Sequence, residues 1–118
     1  MKKATTKSNA VNKDLHQRLI KAKSVIDAEF SKKMSIHSLA KHATLSEFHF
    51  YRSFKNAFGI SPHQYVLNKR LNRAVELLKE GDYLLTDIAY EVGFTDIYSF
   101  SKSFKKRFNT CPSQLLQN

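Results

Sequence analysis

Apolar residues recur along most of the chain at the three-to-four-residue spacing of one helix face, and no stretch alternates apolar with polar over the length of a strand. Leu15, Leu19, Ala22, Ile26 and Phe30 make the first stripe, which predicts an amphipathic helix ending near Phe30. Leu67, Leu71, Ala74 and Leu78 make another, on a helix that Ser61 caps, Pro62 opens and Gly81 stops after Glu80. Two shorter helices each lead into a longer one. Ser38 to Ala43 is followed by a turn at Thr44 and Leu45 and then by a helix that begins at Ser46 and Glu47, with Ser46 suited to the N-cap. Asp87 to Val92 is followed by Gly93, where a turn needs positive φ, and then by a helix that Thr95 and Asp96 begin. Small Ala40 and Ala89 let the paired helices approach closely. With three Gly and two Pro the connections are short, and the expected fold is all-α with about seven helices.

The two helix pairs are copies. Phe50, Ser53, Phe54, Lys55, Phe58, Pro62 and Gln64 return as Phe100, Ser103, Phe104, Lys105, Phe108, Pro112 and Gln114, at a constant offset of fifty residues. Upstream the offset is forty-nine, pairing Leu39 with Ile88, Ala40 with Ala89, Ala43 with Val92 and Leu45 with Phe94, so the second copy carries one extra residue before Phe100. The expected organisation is a disordered basic arm over 1–14, a first unit over 15–60, a linker helix over 61–80 and a second unit over 81–118. Twenty helical residues span about 30 Å, close to the ~34 Å between successive major grooves on one face of DNA.

Angular placement separates the faces of the two long helices. In the first, Phe50, Ala57 and Phe58 fall on the side of Phe54, and Phe48, His49, Arg52 and Asn56 point away; the second repeats this with Phe100, Phe104, Arg107 and Phe108 against Tyr98, Ser99, Lys102 and Lys106. Arg107 is the misfit on the core side and is expected to snorkel. Outward residues near the start of the second helix in such a pair are placed to read bases, which selects Phe48, His49, Tyr51 and Arg52, then Tyr98, Ser101 and Lys102. Arg52 suits guanine O6 and N7, and Phe48 and Tyr98 suit thymine methyls or sugars. Ser46, Lys55, Thr95, Lys105 and Lys106 are candidates for phosphate contacts.

Charge changes the picture by adding a partner class. The chain has 20 Lys plus Arg against 10 Asp plus Glu, a net +10, which favours a polyanion. No acid occurs over 48–74 or 97–118, yet those stretches hold nine of the basic side chains. A basic outward face is also ordinary solvated surface, and a basic RNA-binding or protein-docking helical module fits the same charge.

Other chemistries lack their residues. No glycine-rich phosphate loop or nucleophile motif is present, so an enzyme is not expected. The histidines at 16, 37, 42, 49 and 63 form no ligand cluster, so neither metal nor cofactor is expected. Cys111 alone makes an internal disulfide impossible, and it occupies the place of Ser61 before a proline, a helix-start position. No run approaches the roughly 20 apolar residues of a membrane span, and the first fourteen residues lack a signal-peptide core, so a cytoplasmic, nucleoid-associated protein with no membrane partner is expected.

DIAYEVGFTDIYSFSKSFKKRF followed by PSQ carries Ile-Ala, Gly-Phe, and a Phe four residues before Phe-Lys, and in these residues the chain resembles the AraC family DNA-binding domain. LSEFHFYRSFKNAFGISPHQY and RLNRAVELL are similar to that family's first unit and linker, so the resemblance covers about Leu15 to Leu116. Asn109 departs from the usual Gly, and Asn tolerates the left-handed conformation. The resemblance implies two homeodomain-like helix-turn-helix subdomains, the same base-reading positions, sequence-specific binding of double-stranded DNA, and regulation of transcription, in the direction of activation with RNA polymerase as a further partner. The chain resembles the short single-domain members such as the MarA type, which implies no sensor domain and a monomeric state.

Overall fold

In the computed structural model, which describes residues 2–116 with side chains from Asn12, the chain forms six α-helices and a final 3-10 turn, with no strand among the described residues. They are α1 Lys2–Glu29, α2 Ile36–His42, α3 Glu47–Phe58, α4 Pro62–Glu80, α5 Leu85–Glu91 and α6 Ile97–Phe108, followed by the 3-10 turn Pro112–Leu115. The all-α expectation of about seven helical elements holds. Boundaries moved by one or two residues at the short helices: α2 starts at Ile36 because the Ser35 side chain caps it, accepting from the Ser38 N–H at 3.0 Å. Ser61 caps α4 in the same way, accepting from the Gln64 N–H at 3.1 Å. The larger difference is at α1, which starts at Lys2 rather than at Leu15 and so runs through most of the segment expected as a basic arm. Extending a docked helix adds one hydrogen bond per residue without a new nucleation step.

Two compact units result, one from the residues up to Ala28 with Met34–Tyr65, the other from Glu29–Lys33 with Val66 onward. Leu19, Ala22 and Ile26 of α1, Leu39 and Ala40 of α2, Ala43, and Phe50 and Phe54 of α3 are the buried apolar residues of the first unit. Phe54 stacks edge-on against Phe58, with centroids 4.7 Å apart, and lies 5.9 Å from Tyr65. The Tyr65 hydroxyl donates to Asp27 Oδ1 at 2.5 Å; burial, and then this bond, push its pKa up to about 12. In the second unit Leu71, Ala74, Leu77 and Leu78 of α4 cluster with Ile88, Ala89, Val92, Phe94, Phe100 and Phe104.

α4 is therefore more than a connecting rod, because its apolar stripe is part of the second unit's core. It stands to α5 and α6 as α1 stands to α2 and α3: Leu19, Ala22 and Ile26 correspond to Leu71, Ala74 and Leu78 at an offset of fifty-two, and all six are buried. The repeat is thus three helices long in each copy. Identities at this third offset (Leu15 with Leu67, Arg18 with Arg70, Leu19 with Leu71 and Ala22 with Ala74) mark the first helix of each copy, but a search at offsets of forty-nine and fifty passes over them.

The turn positions separate the copies. Leu45 N–H bonds Ala40 O at 3.0 Å and Phe94 N–H bonds Ala89 O at 2.9 Å, so the turns coincide at an offset of forty-nine, whereas the N-caps Ser46 and Asp96 coincide at fifty. The extra residue of the second copy is Thr95. Within the turns, Gly93 has φ 111°, and its counterpart Thr44 adopts φ 55° despite a branched Cβ. Asn109 has φ 61° at the end of α6, where α3 ends on Gly59 at 83°, so Asn does take the left-handed cap conformation there.

Candidate nucleic-acid interface

α3 and α6 are built alike. The four-residue spacing of Phe50 and Phe54 on α3, and of Phe100 and Phe104 on α6, buries two rings per helix completely, with centroids 5.6 and 5.7 Å apart. These rings fix the rotation of each helix about its axis, so the opposite residues must face outward. Phe48, His49, Tyr51, Arg52, Lys55 and Asn56 are exposed on α3, and Tyr98, Lys102, Lys105 and Lys106 on α6. Ser101 is half-buried, at the margin of the outward face rather than its centre. Ala57, placed with the core by angle, is exposed.

Phe48 is 71% exposed and Tyr98, its counterpart, 75% exposed. Rings this large contribute little to the fold at such exposure, and an aromatic body held in water is suited to an external apolar contact. The Arg52 guanidinium carbon lies 5.5 Å from the Phe48 ring centroid, within cation–π range. Phe48, His49, Arg52, Ser53 and Asn56 line a shallow depression along α3. Asn56 was not among the expected site residues, although 48, 52 and 56 form an i, i+4, i+8 stripe that identifies it.

The helix starts differ in charge. The Ser46 hydroxyl oxygen accepts from the His49 N–H at 3.2 Å, which leaves its proton to donate outward. Asp96 Oδ1 accepts from the Ser99 N–H at 2.7 Å, and Oδ2 accepts from the Ser99 hydroxyl at 3.1 Å and the Thr95 hydroxyl at 3.4 Å. The Ser99 amide foremost holds this carboxyl below the usual Asp range against an opposing effect of desolvation, with both hydroxyls and the Tyr98 amide adding to the lowering.

Three of the nine basic side chains in the acid-free stretches have partners that remove or qualify an external role. Arg70 is half-buried, donating from Nε to Phe30 O at 2.6 Å and from a terminal nitrogen to Lys32 O at 3.0 Å, and burial lowers its pKa. Arg73 pairs with Glu76 at 3.0 Å. Arg107 donates to Asn72 at 3.3 Å and lies over the Phe108 ring at 5.2 Å, the expected snorkelling made specific. Counting charge along the sequence overstates the basic surface, since it does not distinguish a guanidinium spent on backbone carbonyls.

Cys111 precedes the 3-10 turn in extended conformation, at a helix-start position, but its side chain makes no capping bond. Among the described residues no group of three or more His, Cys, Asp and Glu could hold a metal ion, and no described helix is long and apolar enough to cross a membrane.

Residues 39–118 match the family model described as a helix-turn-helix domain. The chain is 38% identical over 89 residues to the probable transcriptional regulator LumQ of Photobacterium leiognathi, covering 75% of this chain and 36% of that protein. It is 35% identical to the probable transcription factor PqrA of Proteus vulgaris, covering 72% of this chain and 70% of that protein. With the transcriptional activator RhaS of Citrobacter koseri it shares 31% identity over 117 residues, or 99% of this chain and 41% of that protein. Among solved structures, the C-terminal domain of AraT, a response regulator from Geobacillus stearothermophilus, superposes with TM-score 0.79 at 28% identity, covering 83% of this chain and 82% of that one. A transcriptional regulator with an AraC-type DNA-binding domain from Chromobacterium violaceum superposes with TM-score 0.77 at 29% identity, covering 85% and 89%. The chain spans about a third of the length of the first curated relatives it matches, at 36%, 33% and 36%.

Proposed function

Since the chain belongs to the AraC-type helix-turn-helix family of transcription regulators, we propose that it binds double-stranded DNA sequence-specifically, with α3 and α6 as recognition helices in successive major grooves. One observation carries the proposal: both helices turn a Phe pair inward and an exposed aromatic plus a cation outward, at the same helical phase. Phe48, His49, Tyr51 and Arg52 read one half-site and Tyr98, Ser101 and Lys102 the other, with Ser101 contributing from the edge. Ser46, Lys55, Thr95, Lys105 and Lys106 contact phosphates and set the register. The two half-sites lie about one DNA turn apart, the separation of successive major grooves on one face of the duplex. The chain acts as a monomer, in the cytoplasm, and its regulatory output is activation through RNA polymerase, in keeping with the name of its relative RhaS.

Selection of bound sequences from a random duplex library, repeated at rising salt and against RNA of equal length, tests the proposal. Two unlike half-sites about ten base pairs apart should emerge, binding should weaken steeply with salt through counterion release, and duplex DNA should outcompete RNA. No enriched sequence, or preferential capture of RNA, would overturn it.

A further inference from the structure

Arg52 is exposed and forms no ion pair with any described residue, yet its guanidinium lies 5.5 Å from the Phe48 ring centroid, one helical turn away. A free arginine samples many rotamers and loses that freedom when it docks two N–H groups on guanine O6 and N7. A guanidinium over a ring has already lost part of it, and the face of the ring leaves the in-plane N–H donors available for bonding. We infer that Phe48 is a positioning residue, holding Arg52 in the extended, edge-outward pose that reads a guanine. This inference rests on the proposed DNA reading.

The second unit supplies an internal contrast. Tyr98 and Lys102 occupy the same positions as Phe48 and Arg52, but among the described residues the Lys102 ammonium is in cation–π contact with no ring. An ammonium is a point charge without a planar fork, so it gains less orientation from a ring. The half-site of α3 should therefore discriminate its guanine more sharply than the half-site of α6 discriminates the base at Lys102.

The test is a double-mutant cycle on the full chain. Selected duplexes are varied at the single base pair whose guanine preference disappears in Arg52→Ala. Phe48→Leu keeps an apolar side chain for a thymine methyl or a sugar but removes the ring face, whereas Phe48→Tyr retains it. The preference for guanine over adenine at that base pair should fall in Phe48→Leu, by about threefold if the stack stays hydrated and up to about thirtyfold once DNA desolvates it. Phe48→Tyr should restore most of it. In the Arg52→Ala background, Phe48→Leu should leave the preference at that base pair unchanged, which a direct methyl contact or a folding role would not produce. If Arg52→Ala abolishes a guanine preference that Phe48→Leu leaves intact, the positioning role is wrong and the proposed DNA reading stands. If Arg52→Ala changes no base preference at all, the assignment of Arg52 as a reader fails first. Circular dichroism of each variant confirms that the helices are intact.

Discussion

Replacing Gly93 with alanine tests whether the turn between α5 and α6 is held by the contacts beneath it. A Cβ at this position would lie 2.7 Å from Arg70 Nε and 2.8 Å from Ser31 O, and the φ of 111° is itself unfavourable for an L-residue. Arg70 could swing aside, but the Ser31 carbonyl is backbone and cannot do so without moving Glu29–Lys33. The backbone conformation costs about 1–3 kcal/mol for a residue with a side chain. Displacing Arg70 forfeits its bonds to Phe30 O and Lys32 O, and bonds to charged groups contribute about 1.5–3 kcal/mol each. Alanine recovers about 0.4–1 kcal/mol by restricting the unfolded chain. If one of the two bonds is lost, the net destabilisation is about 1.5–5.5 kcal/mol, a large fraction of the ~5–15 kcal/mol of a typical domain. Urea unfolding followed by circular dichroism should show the midpoint of the second unit falling with unchanged m. Gly59→Ala is the control, because no atom lies within 4 Å of its Cβ position and only the φ of 83° is penalised; it should cost about 1 kcal/mol. A loss at Gly93→Ala no larger than at Gly59→Ala would refute the steric account.

Thr44→Gly, at the position in the first unit equivalent to Gly93, should stabilise the first unit by up to about 1 kcal/mol and raise its urea midpoint, since a β-branched residue at φ 55° is strained; a lower midpoint would count against this. Arg52→Ala or Lys102→Ala should each remove about 1–3 kcal/mol of preference for cognate over random duplex, whereas Lys105→Ala should weaken both alike; identical behaviour of the three in titrations would refute the division into readers and anchors. Asp96 has a depressed carboxyl pKa, so the stability it contributes is present above the unfolded Asp pKa and lost as pH falls through the lower folded value. Acid unfolding below about pH 4 should therefore be shallower in Asp96→Ser, which keeps a cap of the Ser46 type, and an unchanged pH profile would contradict this. Inserting five base pairs between the half-sites should reduce affinity toward that of a single unit, and unchanged affinity with continuous two-site protection in footprinting would refute a rigid spacing.

The sequence by itself determined which helices exist and which way α3 and α6 face, because both properties are local. Phe50 with Phe54 and Phe100 with Phe104 recur at the helical period, and burying them leaves Phe48, Arg52, Tyr98 and Lys102 outward with no further choice. The caps at Ser46 and Ser61 were legible for the same reason, since each bond reaches only three residues along the chain, whereas the pattern passes over Ser35 and gives Asp96 only as one of two residues that begin α6. Tertiary structure decided what depends on contacts across long separations. It drew α4 into the second core, where Leu71, Ala74 and Leu78 repeat the role of Leu19, Ala22 and Ile26. It also withdrew Arg70 from the basic surface, because Phe30 and Lys32, about forty residues earlier in the chain, present the carbonyls that hold it. No periodic pattern encodes such a pairing: a charge seen in sequence is only a potential contact, and packing determines whether it meets solvent, a carbonyl or a partner.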